Sequence, residues 1–261
     1  MKRFINDMKK YYKYSVYSAK SYLKEEVASS YLNWLWWVLD PLFLMLIYVF
    51  IFTVVFPAGS EPIFPAFIFL GLTLWQFFEK NISQSVKLVR GNKAIVTKVY
   101  IPKYMLLIIT MMKNAFKMVI SFGIVIVMML FYRVMPNLNM LYMLLVMVML
   151  FIVTFACGTI LMHFGVFIDD LSNIVRIILR LLFYMTGIFF SIDSRIPKPY
   201  GWWALRINPV ALALQAGRES LLYNKTPDVK WLIYWIIVGV VVSAVGVAVI
   251  YKNENGYAKV V

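Results

Sequence analysis

Residues 140–167 have the sequence MLYMLLVMVMLFIVTFACGTILMHFGVF, a stretch of 28 residues without Asp, Glu, Lys or Arg. The hydrocarbon core of a bilayer is about 30 Å thick, and roughly 20 helical residues are needed to cross it. This segment therefore predicts a transmembrane helix. Over the whole chain 62% of residues are hydrophobic and 15% are charged, whereas soluble domains are roughly 45–50% apolar. We expect an all-α integral membrane protein, because helices satisfy their own backbone hydrogen bonds in lipid.

Five more apolar runs, each bounded by charged residues or proline, raise the predicted number of transmembrane helices to six. The second run is short and is expected to continue for a turn past Glu79 and Lys80. In chain order the predicted spans are Trp34–Phe56, Ile63–Phe78, Met105–Phe131, Met140–Phe167, Ile174–Phe190 and Trp231–Tyr251.

Lysine and arginine are distributed unevenly over the predicted loops, and this bias indicates the orientation of the spans. An even number of spans places both termini on one side, which carries fifteen basic residues against seven on the other. We therefore expect both termini in the cytoplasm and external segments at 57–62, 132–139 and 191–229. Cytoplasmic loops also explain the formal charge of +14, so this charge does not indicate binding to nucleic acid.

Two segments outside the spans have their own patterns. Residues 1–30 form a predicted cytoplasmic helix that lies in the membrane interface, and residues 31–261 form a single transmembrane domain. Residues 191–229 are too apolar for a solvated loop, so short re-entrant helices before the last span are expected there. The apolar face of the N-terminal helix is expected to contain Phe4, Met8, Tyr11, Tyr12, Val16, Ala19 and Leu23.

Several kinds of chemistry lack the residues that they need. The chain has no G-x-x-x-x-G-K-[ST] phosphate-binding loop, so any ATP and Mg²⁺ would be bound by a partner subunit rather than by this chain. Cys157 is the only cysteine and His163 the only histidine, which argues against a metal site and against a catalytic role for this chain. Because His163 lies inside the fourth predicted span, we interpret it as a hydrogen-bonding residue in helix packing.

Three ionisable residues inside predicted spans are candidates for a substrate pathway: Asp40, Lys113 and Lys117. Charged groups within a membrane are costly and normally face a bundle interior or a watery cavity. The two lysines are four residues apart and so share one helix face. Two alternatives remain open: the lysines can extend to the inner-leaflet headgroups, and Asp40 can act with Pro41 to shape the first span.

Aromatic residues make up 17% of the chain and provide further pathway candidates. Sugar rings pack well on aromatic planes, which favours Trp36, Trp75, Phe78 and Tyr184 as residues of a glycan conduit. In any membrane protein, however, such residues also form the aromatic belts at the two interfaces. Composition does not separate the two interpretations.

Short motifs lie at fitting positions along the six-span topology. The motif at the entry to span one consists of Ser30, Leu32, Trp36 and Pro41-Leu42. Span two contains Gly71-Leu72, Trp75 and Phe78, and the next loop contains Asn92, Lys98 and Pro102. Asp170, Asn208-Pro209 and Arg218 follow later. In this order the motifs are similar to those of permease subunits of ABC-2-type exporters for O-antigen, teichoic acid and related glycans.

The sequence departs from the family pattern at several positions. Asn33 replaces a glycine, and Glu26 stands where a basic residue is common. Asp169 takes the place of an arginine, Ile101 replaces a phenylalanine, and Thr186-Gly187 replaces a frequent Thr-Pro.

The resemblance implies a permease of the bacterial plasma (inner) membrane that exports an undecaprenyl-type lipid-linked glycan. It implies a homodimer joined to two copies of a separate nucleotide-binding ATPase subunit, with the conduit between the permeases. It also implies that the N-terminal helix and the Val86–Lys98 segment meet the ATPases. We further predict that Gln84–Lys98 forms one short helix that docks into the ATPase, because it carries Lys87, Arg90, Lys93 and Lys98 on a cytoplasmic loop too long for a simple turn. The basic residues of this segment could alternatively bind anionic lipid headgroups.

Two other functions remain open from the residues alone. An ABC-2 exporter of a drug or a lipid would keep the same fold and change the cargo. A membrane-bound enzyme of envelope lipid synthesis would need no ATPase partner.

Overall fold

The structure, a computed structural model, describes residues 2–28, 31–55, 63–98 and 100–260. Within these ranges the chain forms helices and turns and contains no strand. The helices are α1 Lys2–Ala28, α2 Trp36–Phe50, α3 Phe64–Val86, α4 Leu88–Gly91, α5 Lys93–Lys98, α6 Tyr104–Phe131, α7 Tyr142–Phe167, α8 Leu171–Met185, α9 Ile192–Arg195, α10 Tyr200–Ile207, α11 Pro209–Leu221 and α12 Val229–Val260.

Four helical segments in the described part of the chain are long and apolar enough to cross a membrane: Asn33–Val55, Tyr104–Phe131, Leu138–Phe167 and Val229–Glu254. They coincide with predicted spans one, three, four and six to within a few residues. The first consists of α2 with a short 3₁₀ turn before it and a π-helical turn, Ile51–Val55, after it. Residue 56 and the predicted external turn at 57–62 lie outside the described residues.

The second and fifth predicted spans correspond to α3 and α8. Helix α3 continues past Glu79 and Lys80, as expected, and ends at Val86. The predicted bounds of the fifth span were wrong, because α8 begins at Leu171 and ends at Met185. Gly187 has a φ of 71°, a conformation that glycine adopts freely and that ends a helix. Helix α8 is therefore only about 22 Å long at 1.5 Å per residue.

Helix α3 lies at the centre of the core and packs against α2, α6, α7, α8 and α11. Helix α12 runs along α7, and glycines allow their backbones to approach closely. A Cβ atom on Gly246 would lie 2.3 Å from Thr159 Oγ1, and one on Gly239 would lie 2.7 Å from Ile152 Cγ2. His163 Nδ1 and the Tyr257 hydroxyl are 2.6 Å apart, so the histidine joins α7 to α12 in the packing role that the sequence predicts.

Helix α1 is amphipathic and packs its apolar face against α6. The ring of Phe4 lies 5.2 Å from that of Tyr104. Of the residues predicted for this face, Tyr12 is the exception, because its side chain is exposed. At its N-terminal end Arg3 pairs with Glu254 of α12 at 2.8 Å, and this hydrogen bond raises the pKa of the Arg3 guanidinium.

Three short helices, α9 to α11, precede the last span, in the segment where short helices are predicted. Asn208 and Pro209 start α11 for a clear physical reason. The Asn208 side chain accepts hydrogen bonds from the backbone N–H groups of Val210 and Ala211 at 3.0 and 3.2 Å, and Pro209 occupies the first helical position, where no N–H is needed. Helix α11 is mostly buried, including Arg218, which is 1% exposed.

Candidate functional site

A polar cleft of about 180 Å³ lies where the C-terminal end of α1 meets α2, α3 and α6. We call it the polar cleft. On α6 it is lined by residues between Asn114 and Ser121, near the middle of that helix. Its lining residues are Glu26, Trp36, Trp37, Asp40, Pro41, Thr73, Gln76, Phe77, Lys80, Asn114, Lys117, Met118 and Ser121.

Two lysines of α6 converge on one carboxylate of α1. Lys117 Nζ contacts Glu26 Oε1, and Lys113 Nζ lies 3.9 Å from Glu26 Oε2. The side chain of Lys113 is only 18% exposed and that of Lys117 only 14%, whereas the side chain of Glu26 is 41% exposed. The sequence predicted that the two lysines share a helix face, and the structure directs both to the same acceptor.

Asp40 of α2 pairs with Lys80 of α3 in the same cleft. The distance between Lys80 Nζ and Asp40 Oδ2 is 3.7 Å, and both side chains are partly exposed. Pro41 follows inside α2 and is buried. Asp40 therefore has a charged partner in addition to the neighbouring proline considered from the sequence, and the pair links the first turns of α2 to the middle of α3.

Two indole rings stand beside the charged groups. Trp36 lines the cleft and is exposed, and Trp37 is half-buried against Phe116, with ring centroids 5.9 Å apart. Lys117 Nζ lies 5.7 Å from the centroid of the Trp37 ring, within range of a cation–π contact. The cleft thus combines cationic groups with aromatic planes.

Amides form the inner wall of the cleft. Asn114 Nδ2 donates hydrogen bonds to Asn81 Oδ1 at 2.9 Å and to Gln84 Oε1 at 3.3 Å, and these bonds tie α6 to α3. Asn114 Oδ1 is buried and has no hydrogen-bond partner among the described residues. A buried acceptor without a donor is costly, so this oxygen is available to a donor that enters the cleft.

Four predicted pathway residues lie outside the cleft lining. Lys113 is next to it, since its ammonium group lies 3.9 Å from Glu26 Oε2. Trp75 and Phe78 are buried in the core, where the ring of Trp75 packs edge-on against Phe183 of α8 with centroids 5.6 Å apart. Tyr184 lies on α8 and is 61% exposed. The structure therefore places Trp36, Asp40 and Lys117 of the predicted set in the cleft, with Lys113 beside it, and places Trp75, Phe78 and Tyr184 elsewhere.

The predicted ATPase-docking segment is not one helix, and this part of the prediction was wrong. Residues 84–98 comprise the end of α3 and two short helices, α4 and α5, separated at Asn92. Asn92 Oδ1 accepts a hydrogen bond from the Tyr22 hydroxyl at 2.9 Å, so this turn is fastened to α1. Lys87, Lys93 and Lys98 are exposed.

Arg90 has partners within the chain. It pairs with Asp169, just after α7, and donates a hydrogen bond to the Val166 carbonyl at 2.6 Å. Arg90 therefore fixes α4 to the end of α7. Lys103 at the end of the same loop is buried near the Val96 carbonyl, and loss of solvent lowers the pKa of its ammonium group.

Sequence reasoning missed some of the cleft residues. Glu26 was noted only as a departure from a family pattern, and Lys80 only as part of the turn by which the second span was expected to extend. Asn114 could have been found, because Lys113, Asn114, Lys117 and Ser121 form a polar stripe at helical spacing within an otherwise apolar span. Among the described residues no group of three or more His, Cys, Asp or Glu side chains could hold a metal ion.

Comparison with known proteins defines the class to which this bundle belongs. The family model of the ABC-2 type transporter matches residues 17–222, which covers the cleft and the chain from the C-terminal part of α1 to the end of α11. The chain belongs to the ABC-2 type transporter family. With several apolar helices, it is a multi-pass membrane protein.

Individual relatives are similar over most of their length. An O-antigen export system permease protein RfbA of Klebsiella pneumoniae is 26% identical over 239 residues, which is 91% of each chain. An RfbA protein of Myxococcus xanthus is 25% identical over 260 residues, 99% of each chain. The polysialic acid transport protein KpsM of Escherichia coli is 24% identical over 245 residues, which covers 86% of this chain and 87% of KpsM.

Proposed function

We propose that this chain is the permease subunit of an ABC exporter for a lipid-linked cell-surface polysaccharide, such as O-antigen or teichoic acid. The cargo would pass from the cytoplasmic to the outer face of the bacterial inner membrane. The names of the relatives, which are O-antigen and polysialic acid transport proteins, support this class of cargo over a drug or a simple lipid.

In the proposed topology α3 and α8 complete six spans, and both termini are cytoplasmic. Helix α3 is 23 residues long, enough for roughly 34 Å, and most of its residues are buried in the bundle. Helix α8 is shorter and continues into the turn before α9. Helices α9 to α11 would then enter the outer leaflet without crossing it. The excess of basic residues on the side of the termini supports this orientation.

The proposed complex contains two copies of the permease and two ATPase subunits, which bind the ATP and Mg²⁺. Membership of an ABC family and the lack of a phosphate-binding loop in this sequence support an external ATPase. Helix α2 buries only Pro41 and Met45 within the chain, so most of its apolar surface is free for lipid or for the second permease.

The proposed contact with the ATPase uses the exposed basic residues Lys87, Lys93 and Lys98. Lys87 lies in the turn between α3 and α4, and Lys93 and Lys98 lie on α5, which begins just after the residue that bonds to Tyr22 of α1. Arg90 is assigned a different role, because its guanidinium is held by Asp169 and Val166. It would set the position of the docking surface rather than bind the ATPase directly.

The convergence of Lys113 and Lys117 beside two tryptophans is the observation that supports the proposed cargo. A lipid-linked glycan carries a diphosphate between its polyprenyl chain and its first sugar. Two ammonium groups suit the diphosphate, and their attraction for it is strengthened because water is partly excluded from the cleft. Trp36 and Trp37 offer planes for the first sugar, and the amide wall offers hydrogen bonds.

The test measures ATPase stimulation in the assembled complex reconstituted in nanodiscs with increasing concentrations of lipid-linked glycan. With Lys113→Gln and Lys117→Gln together, we expect half-maximal stimulation to need about tenfold more glycan, a loss of about 1.4 kcal/mol. The matched control is Arg176→Gln with Arg180→Gln, a basic pair at the same spacing on the exposed face of α8. Half-maximal stimulation at the wild-type concentration in the lysine variant would remove these residues from the substrate site.

A further inference from the structure

Glu26 occupies the position in the polar cleft where an anionic ligand is expected. Its carboxylate contacts Lys117 and lies 3.9 Å from Lys113, so both ammonium groups already share one negative charge. The second acid of the cleft, Asp40, is directed to Lys80 instead, at 3.7 Å. The two lysines and Glu26 together therefore carry a net charge of about +1, whereas the two lysines alone would carry +2.

Resting on the proposed function of the lysine pair, we propose that Glu26 determines ligand specificity by excluding lipids that carry a single negative charge. A phosphodiester headgroup carries one negative charge. If it displaced the Glu26 carboxylate from the lysines, one monovalent anion would replace another, and the electrostatic binding free energy would not improve. A polyprenyl diphosphate brings two charges, so it can displace the carboxylate and pair with both lysines.

The tethering of Glu26 makes this competition effective. The carboxylate belongs to the last turn of α1, which is fastened at its start to α12 through Arg3 and near its end to the α4–α5 turn through Tyr22. A group held in place in this way acts at a high effective concentration, in the millimolar range or above. Phospholipids surround the cleft in large excess over a polyprenyl carrier, so a site with two free lysines would be occupied by headgroups.

A purely structural role for Glu26 fits the geometry less well. The side chain is 41% exposed, and partly exposed ion pairs contribute little to stability. A carboxylate that served only to neutralise buried lysines would be expected deeper in the bundle. Its exposure leaves it free to turn away when a stronger anion arrives.

The experiment measures binding of a radiolabelled undecaprenyl-diphosphate-linked sugar, whose diphosphate carries two negative charges, to the purified full-length protein in nanodiscs. The nanodiscs contain phosphatidylcholine with increasing fractions of phosphatidylglycerol, which carries one negative charge. For wild-type protein we expect the Kd to be insensitive to phosphatidylglycerol. For Glu26→Gln we expect about fivefold tighter binding in pure phosphatidylcholine, because the internal competitor is gone, and a progressive loss of binding as phosphatidylglycerol is added.

Two variants control for charge and for folding. Glu25→Gln makes the same chemical change at the neighbouring position on α1, where the carboxylate forms no ion pair within the described residues, and it should behave as wild type. Glu26→Asp keeps the charge and should restore resistance to phosphatidylglycerol.

The outcomes separate this inference from the proposed function. If Lys113→Gln with Lys117→Gln loses binding while Glu26→Gln shows wild-type sensitivity to phosphatidylglycerol, the lysine site stands and the role of Glu26 is refuted. If Glu26→Gln binds the diphosphate more weakly in pure phosphatidylcholine, Glu26 positions the lysines and the inference is also refuted. Unchanged binding in the lysine variant would instead refute the proposed substrate site.

Discussion

The substitution Gly71→Ala tests the close contact between Gly71 and Arg218, two residues that belong to motifs far apart in the sequence. Arg218 donates hydrogen bonds to the carbonyls of Gly187 and Ile188, both at 2.8 Å, and its guanidinium lies 3.4 Å from the centroid of the Phe67 ring. A Cβ atom on Gly71 would lie 2.6 Å from Arg218 Nη2, the atom that bonds to Ile188. The guanidinium would have to move away from that carbonyl.

The expected cost follows from two effects. Crowding in a packed core costs about 1–3 kcal/mol, and a weakened hydrogen bond from a charged donor costs about 1.5–3 kcal/mol. We expect Gly71→Ala to destabilise the protein by about 3 kcal/mol, which lowers the midpoint of thermal unfolding by roughly 6–12 °C for a chain of this size. The measurement follows thermal unfolding of the purified protein in detergent.

The control is Gly123→Ala in α6, where an added Cβ meets no atom within 4 Å. This change should leave the midpoint unchanged or raise it slightly, because alanine favours a helix over glycine by about 1 kcal/mol. A double-mutant cycle with Arg218→Ala provides the decisive result: once the guanidinium is removed, Gly71→Ala should cost less than about 1 kcal/mol. Additive effects of the two substitutions would refute the direct contact as the cause.

Three further predictions concern residues at the end of the bundle that is proposed to face the cytoplasm. Arg90→Glu should lower the unfolding midpoint by an amount equivalent to about 2 kcal/mol, and adding Asp169→Arg should recover part of the loss by restoring the ion pair. Asn33→Val should destabilise the protein by about 1–2 kcal/mol while Asn33→Gly is tolerated, because Asn33 has a φ of 52°; equal midpoints for the two variants would contradict this. Lys103→Met should raise the midpoint at neutral pH, because burial lowers the pKa of Lys103 and the folded state then carries the cost of a desolvated charge. That cost is present below the lowered pKa and disappears as the pH rises to the ordinary value of 10.5, so the difference between variant and wild type should shrink in alkaline solution.

The boundaries of four spans could be predicted because the sequence carries a local signal for them. Long apolar runs such as Met140–Phe167 end at charged residues or at proline, and helix ends follow the same features. The end of α8 was missed, although its signal was also local. Thr186-Gly187 was treated as a substitution within a motif, whereas Gly187 at φ 71° is a helix terminator.

The composition of the polar cleft could be predicted only in part. The intramembrane charges Asp40, Lys113 and Lys117 stand out because charged groups are rare in apolar spans. Their partners did not stand out, since Glu26 and Lys80 lie in segments where charges are common. Glu26 and Lys117 are 91 positions apart, and no periodicity within a single helix relates them. Pairings of this kind depend on how α1 docks against α6, which is a property of the packed bundle.

The structure also gives physical meaning to the departures from the family pattern. Asn33 replaces a glycine at a position with φ 52°, which asparagine tolerates better than other residues with side chains. Asp169 replaces a basic residue, and it finds Arg90 of α4 as its partner. Both departures are compensated locally and lie outside the cleft lining, so they carry little information about the cargo. Glu26 differs from them because it faces the two lysines that the proposed ligand would bind. A change of charge at this position therefore alters the anion-binding capacity of the cleft, and differences in carrier recognition between this permease and its relatives are expected to depend on it.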